Sequence, residues 1–177
     1  MEIKKRILVV IKKCILLLFI STLVACQSSF FSYRGATAVQ ESRIALRQGG
    51  PHVGFWKTDD LSMHYHYQRD WDNVELSGVI ELADSLKYSF TALEYLFLQV
   101  NFLDADGKVL ETKLALSSDY RHMIKKLSFK RSLKLPTGTA AIAFSYTGRV
   151  VEGGGTGRVL EDAGDGDSWD FWMTPFR

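Results

Sequence analysis

Residues Leu61-Ser62-Met63-His64-Tyr65-His66-Tyr67-Gln68 alternate apolar and polar side chains without a break. A strand sends successive side chains to opposite faces, so Leu61, Met63, Tyr65 and Tyr67 share one face and His64 and His66 the other. The period of two returns at once. Val74, Leu76, Gly78, Ile80 and Leu82 fall on one side, with Glu75, Ser77 and Glu81 opposite.

Working outward, residues 93–103 are apolar on both faces, as for a central strand covered on each side or one whose edge is buried by a long loop. Asp104-Ala105-Asp106-Gly107 then reads as a turn, and residues 109–116 as the partner strand of a hairpin. Leu127, Phe129, Arg131, Leu133 and Leu135 alternate again before a Pro136-Thr137-Gly138 turn. Ile142, Phe144 and Tyr146 follow, and residues 169–176 supply an aromatic last strand, with Trp169 and Phe171 opposite Trp172 and Thr174. One helix is expected around 118–126. The pattern predicts an all-β, antiparallel β-sandwich with one short helix over 51–177.

The chain has 177 residues, 24% charged and 46% hydrophobic, which excludes collagenous and disordered classes. Its formal charge of +2 gives no reason to expect nucleic acid as partner. The N-terminus decides that sign. Lys4, Lys5, Arg6, Lys12 and Lys13 precede a charge-free run over 14–26 that ends in Leu23-Val24-Ala25-Cys26. At ~1.5 Å per residue this run reaches ~20 Å, short of the ~30 Å of a bilayer core, so a cleaved signal is expected rather than a span.

Leu23-Val24-Ala25-Cys26 resembles the lipobox of bacterial lipoproteins. The resemblance implies cleavage before Cys26, lipid on its thiol and an acylated amine. It also associates Gln27, in place of an aspartate, with the outer membrane. Lipid chains each contribute ~0.8 kcal/mol per buried CH₂, so several would hold the protein on a membrane almost permanently. Loss of residues 1–25 removes five cations and Glu2 and turns the net charge slightly negative. It also removes Cys14, so that no disulfide is expected and the core alone must hold the domain. Residues 26–50, polar and ending in Gly49-Gly50-Pro51, read as a tether with a possible helical turn.

Two further segments resemble Ig-like or fibronectin-like domains of bacterial surface lipoproteins: Phe102-Leu-Asp-Ala-Asp-Gly-Lys-Val-Leu110 and Leu135-Pro-Thr-Gly-Thr-Ala-Ala-Ile-Ala-Phe-Ser-Tyr146. They imply a fold and no function.

Chemistry is thinly signalled. His64 and His66 could share a metal, with Asp70 and Asp72 nearby in sequence, but the expectation is a solvated strand face and no metal or other cofactor. Asp104 and Asp106, and the acidic stretch with Glu161, Asp162, Asp165 and Asp167, lack the glutamate that completes an EF-hand loop; the first reads as a hairpin turn and the second as a solvated loop, with weak calcium binding as its alternative. Gly153-Gly154-Gly155-Thr156-Gly157-Arg158 lacks the Gly-Lys-[Ser/Thr] of a phosphate loop. No nucleophile elbow is present and no free thiol is left after processing, so a non-enzyme is expected. The remaining signal is aromatic: Trp56, Trp71, Trp169, Trp172, Tyr65 and Tyr67 are the candidate binding residues. The sequence therefore points to a lipid-anchored cell-envelope protein, at the outer membrane, that binds an envelope protein or, alternatively, a glycan.

Overall fold

Period-two patterning dominates the computed structural model, which describes residues 32–119, 121–122, 126–152 and 167–177. The strands are β1 (Ile44–Ala45), β2 (Gly49–Lys57), β3 (Leu61–Asp70), β4 (Asn73–Leu82), β5 (Ala92–Leu103), β6 (Val109–Ser118), β7 (Arg121–His122), β8 (Leu127–Lys134), β9 (Ala141–Val151) and β10 (Ser168–Met173). One sheet runs β2-β3-β4-β8. The other runs β1-β9-β5-β6, with β10 also on β9 and β7 also on β5. Every pairing is antiparallel.

The alternation seen in the sequence becomes two inner faces meeting in one core. Leu61, Met63, Tyr65 and Tyr67 of β3 and Val74, Leu76, Ile80 and Leu82 of β4 pack with Leu96, Leu98, Val100 and Phe102 of β5 and Ile142, Phe144, Tyr146 and Val150 of β9. Each large apolar side chain so buried contributes roughly 1.5–3 kcal/mol. Three inward glycines each lie opposite an aromatic ring on the neighbouring strand: Gly54 against Tyr65, Gly78 against Phe129 and Gly148 against Phe171. The rings occupy the missing side chains' space. A Cβ on Gly54 would lie 2.2 Å from Tyr65.

The β3–β4 connection is a two-residue hairpin with Asp70 opposite Asn73, and it forces Trp71 to φ 49°. Hairpin turns of this length need positive φ, a conformation that costs a non-glycine residue about 1–3 kcal/mol. At the β5–β6 hairpin the same need is met by Gly107, at φ 87°.

The outer face of β5 carries the buried polar pair Gln99 and Asn101, both hydrogen-bonded to Ser145, and its end at Leu103 joins a second, smaller core outside the six-stranded sheet. Leu103, Val109, Ala141 and Ala143 are covered there by Ala38, with Tyr33, Ala36 and Phe176 packed against them. The covering chain is part of the stretch expected to be a tether. Instead the packed unit begins at Tyr33: Gly35 N–H donates to the Val109 carbonyl at 2.9 Å, β1 pairs with β9, and β2 starts at Gly49. The expected helical turn is a 3₁₀ turn at Gln40–Ser42.

The short helix is displaced from its expected place. It is α1 (Asp84–Ser89), which buries Leu86 and carries a Lys87–Asp84 ion pair at 2.7 Å. Within 118–126, Ser118 closes β6 while Arg121 and His122 pair with Leu93 and Ala92 of β5. Extended pairing onto an otherwise empty strand edge outweighs a weak local helical preference.

Candidate functional site

The outer face of the four-stranded sheet divides into two halves. On the β4–β8 half, charges are paired: Lys130 with Glu75 at 3.5 Å, and Lys126 with Glu81. The Lys126 ammonium, by hydrogen bond and charge, holds the Glu81 carboxyl below the usual carboxylate range. On the β2–β3 half charges stand only at the strand ends, Lys57 of β2 and Asp70 of β3, and none lies between them. Val53 and Phe55 stand 70% and 55% exposed, opposite His66 and His64, and Val79 of β4 flanks His64 on its other side. The Phe55 and His64 rings lie 4.6 Å apart.

Beside this apolar half runs an open edge. Among the described residues β2 pairs only with β3, so one row of its backbone groups has no strand partner. Proteins usually blunt such edges with lysine, proline or a bulge. Here the devices sit at the ends: Pro51 with an irregular register between Gly49 and His52, and Lys57. The middle, Val53-Gly54-Phe55-Trp56, carries none of them.

The candidates from the sequence are dispersed. Trp56 is partly buried with its ring 5.2 Å from Phe144, and Tyr65 and Tyr67 are core residues. Tyr67 donates its hydroxyl to the Ala45 carbonyl at 2.9 Å and accepts from Arg47 N–H at 3.3 Å, which ties β3 to the incoming chain. Trp71, 83% exposed, tops the β3–β4 hairpin. Trp169 and Trp172, 57% and 68% exposed, are on β10, where Trp172 shares the outer side with Asp170 and Trp169 shares the inner side with buried Phe171. Register puts Trp71 and Trp169 at opposite ends of the sheets, since Leu135 N–H beside the Pro136 turn donates to the Asp72 carbonyl whereas Trp169 lies opposite Val150. No row of three forms.

His64 and His66 do share an exposed face, but Asp70 and Asp72 lie at the hairpin end of β3, and among the described residues no three potential ligands gather. Asp104 is a turn residue, its carboxylate accepting from the Asp106 and Lys108 N–H groups at 3.0 and 2.9 Å. Gly153 to Arg158, Glu161, Asp162, Asp165 and Cys26 lie outside the described residues; Asp167 offers its carbonyl to Glu152 N–H. On the six-stranded sheet, Arg149 clamps Asp170 through two bonds of 2.7 and 3.0 Å, which lowers the Asp170 pKa. Burial, with its hydrogen bond to Asp60, pushes the Tyr146 hydroxyl far up.

Sequence patterning missed Val53, Phe55 and Val79. The signal was present but weak, because β2 has apolar residues on both sides and a glycine between them. No family model, curated protein or solved structure matches the chain.

Proposed function

We propose that this is a lipid-anchored cell-envelope protein, non-catalytic, that binds another protein by accepting a partner strand along β2. The observation that carries it is the uncharged middle of β2, an open edge beside exposed Val53 and Phe55. An added strand would pair backbone groups at about 0.5–1.5 kcal/mol each and cover two apolar side chains worth roughly 1.5–3 kcal/mol apiece, less the cost of ordering the partner. The lipobox supplies the location: Cys26 as lipid attachment, Gln27 for the outer membrane. The Ig-like or fibronectin-like resemblance rests on the 102–110 and 135–146 patterns, each of which spans a turn between strands in the fold.

The test is site-specific photo-crosslinking in intact envelopes. A crosslinker at position 55 is expected to give a discrete protein adduct and one at position 130 none; equal yields, or none from 55, would refute strand addition. Fatty-acid labelling tests the anchor, and normal labelling of Cys26→Ser would remove it.

Glycan binding is the second proposal, and Trp71 favours it: a large exposed ring held at the apex of a strained turn. Loss of polysaccharide retention in Trp71→Ala, with the fold intact, is the expected result.

A further inference from the structure

Resting on the proposed lipidation of Cys26, we infer that the outer face of the six-stranded sheet, around Trp172 and Leu114, is the surface that lies against the bilayer. Two observations converge on it. The first is where the chain enters the folded unit. Tyr33 lies on this face, its N–H donating to Thr112 Oγ1 at 3.3 Å, and only residues 27–32 separate it from Cys26. At ~3.3–3.6 Å per residue the path from Cys26 to Tyr33 spans at most ~25 Å. To present the opposite face, the tether would have to pass round an edge and across two sheets ~10 Å apart with side-chain layers on both outer sides. That consumes its whole length.

The second observation is what this face carries. Register aligns Trp172, Thr147, Phe97 and Ser117 in one row across β10, β9, β5 and β6. The next row is Ser145, Gln99 and Leu114, of which Ser145 and Gln99 are buried and Leu114 reaches the surface. Neither row contains an ionisable group. The large apolar side chains most exposed on these rows are Trp172, at 68%, and Leu114, at 45%. Tryptophan at a membrane interface buries its ring among acyl chains while its N–H meets the headgroups. On the neighbouring row Arg149 pairs with Asp170 at 2.7 Å and lies 4.0 Å from the Glu94 carboxylate, so the cation there is held by carboxylates. The consequence is a division of labour between faces: lipid on the six-stranded side, and Val53 and Phe55 turned away from it.

The experiment uses the full chain, expressed with its lipid, purified and reconstituted in phosphatidylethanolamine/phosphatidylglycerol vesicles containing a nitroxide-headgroup lipid. Ser117→Cys and Ser128→Cys, exposed positions on the two outer faces, each carry a fluorophore. Quenching at 117 several-fold stronger than at 128, falling by about half in Trp172→Ala/Leu114→Ser, is the expected result. Equal or reversed quenching in protein that floats with the vesicles overturns the face assignment and leaves the anchor standing. Protein that fails to float overturns the anchor, and the face assignment with it.

Discussion

β2 and β8 are the two edges of the same sheet, yet they are finished in opposite ways. Along β8 and the residue before it stand Lys126, Lys130, Arg131 and Lys134. Arg131 Nε donates to the Ala115 carbonyl at 2.9 Å, and Lys113 Nζ reaches the Lys134 carbonyl at 2.8 Å, so side chains stitch β8 to β6 of the other sheet. Incoming strands meet charge there, and the Lys134 carbonyl is already occupied. The middle of β2 has neither. Charge placement, rather than strand geometry, distinguishes the two edges of this sheet.

The sharpest way to test that contrast is to separate edge chemistry from core anchoring. Phe129→Ala removes the inward anchor of β8 from beneath Gly78 and is expected to cost about 3–5 kcal/mol in urea denaturation. A cost below 1 kcal/mol would mean that β8 is held by its surface links instead. Gly54→Ala is the corresponding change on β2. It pushes Tyr65 from its place and is expected to cost ~1–3 kcal/mol by the same measurement; a neutral result would show β2 to be loosely seated.

Smaller effects probe the edges themselves. Arg131→Ala should lower stability by about 1 kcal/mol and raise concentration-dependent self-association, read by sedimentation, because it unstitches β8. Unchanged sedimentation would break the comparison. Phe55→Lys should leave stability within about 0.5 kcal/mol while abolishing the adduct from a crosslinker placed at Val53. The smallest effect is the pH dependence of Glu81. Its folded pKa lies below the unfolded value, so its stabilisation is complete above the ordinary glutamate range and is lost as pH falls through the depressed value. Lys126→Met should flatten that part of the acid titration, followed by denaturation midpoints.

Much of the sheet framework was legible in the chain. The alternation of 61–68 and 74–82 needs no partner to be recognised, since it follows from the two-residue period of an extended backbone. The 104–107 hairpin was equally plain, because Gly107 takes the positive φ that the turn demands. Residues 33–46 were not legible: their polar composition suits a tether, and only the apolar surface of Leu103, Val109 and Ala141, which they help to bury, gives them something to cover. The helix was misplaced for a related reason. Residues 121–122 pair with β5 through contacts nearly thirty residues apart in sequence, which no local pattern contains.

The candidate site divides along the same line. Sequence by itself determined which residues alternate, where chain reversals fall, that Cys26 follows a short apolar run, and that His64 and His66 share a face. Only the tertiary structure decided that Tyr65 and Tyr67 are core, that Trp71, Trp169 and Trp172 stand apart, and that β2 ends a sheet with Val53 and Phe55 exposed beside it. The physical reason is that periodicity assigns a side chain to one of two faces, whereas burial and edge position depend on which other strands arrive to cover that face.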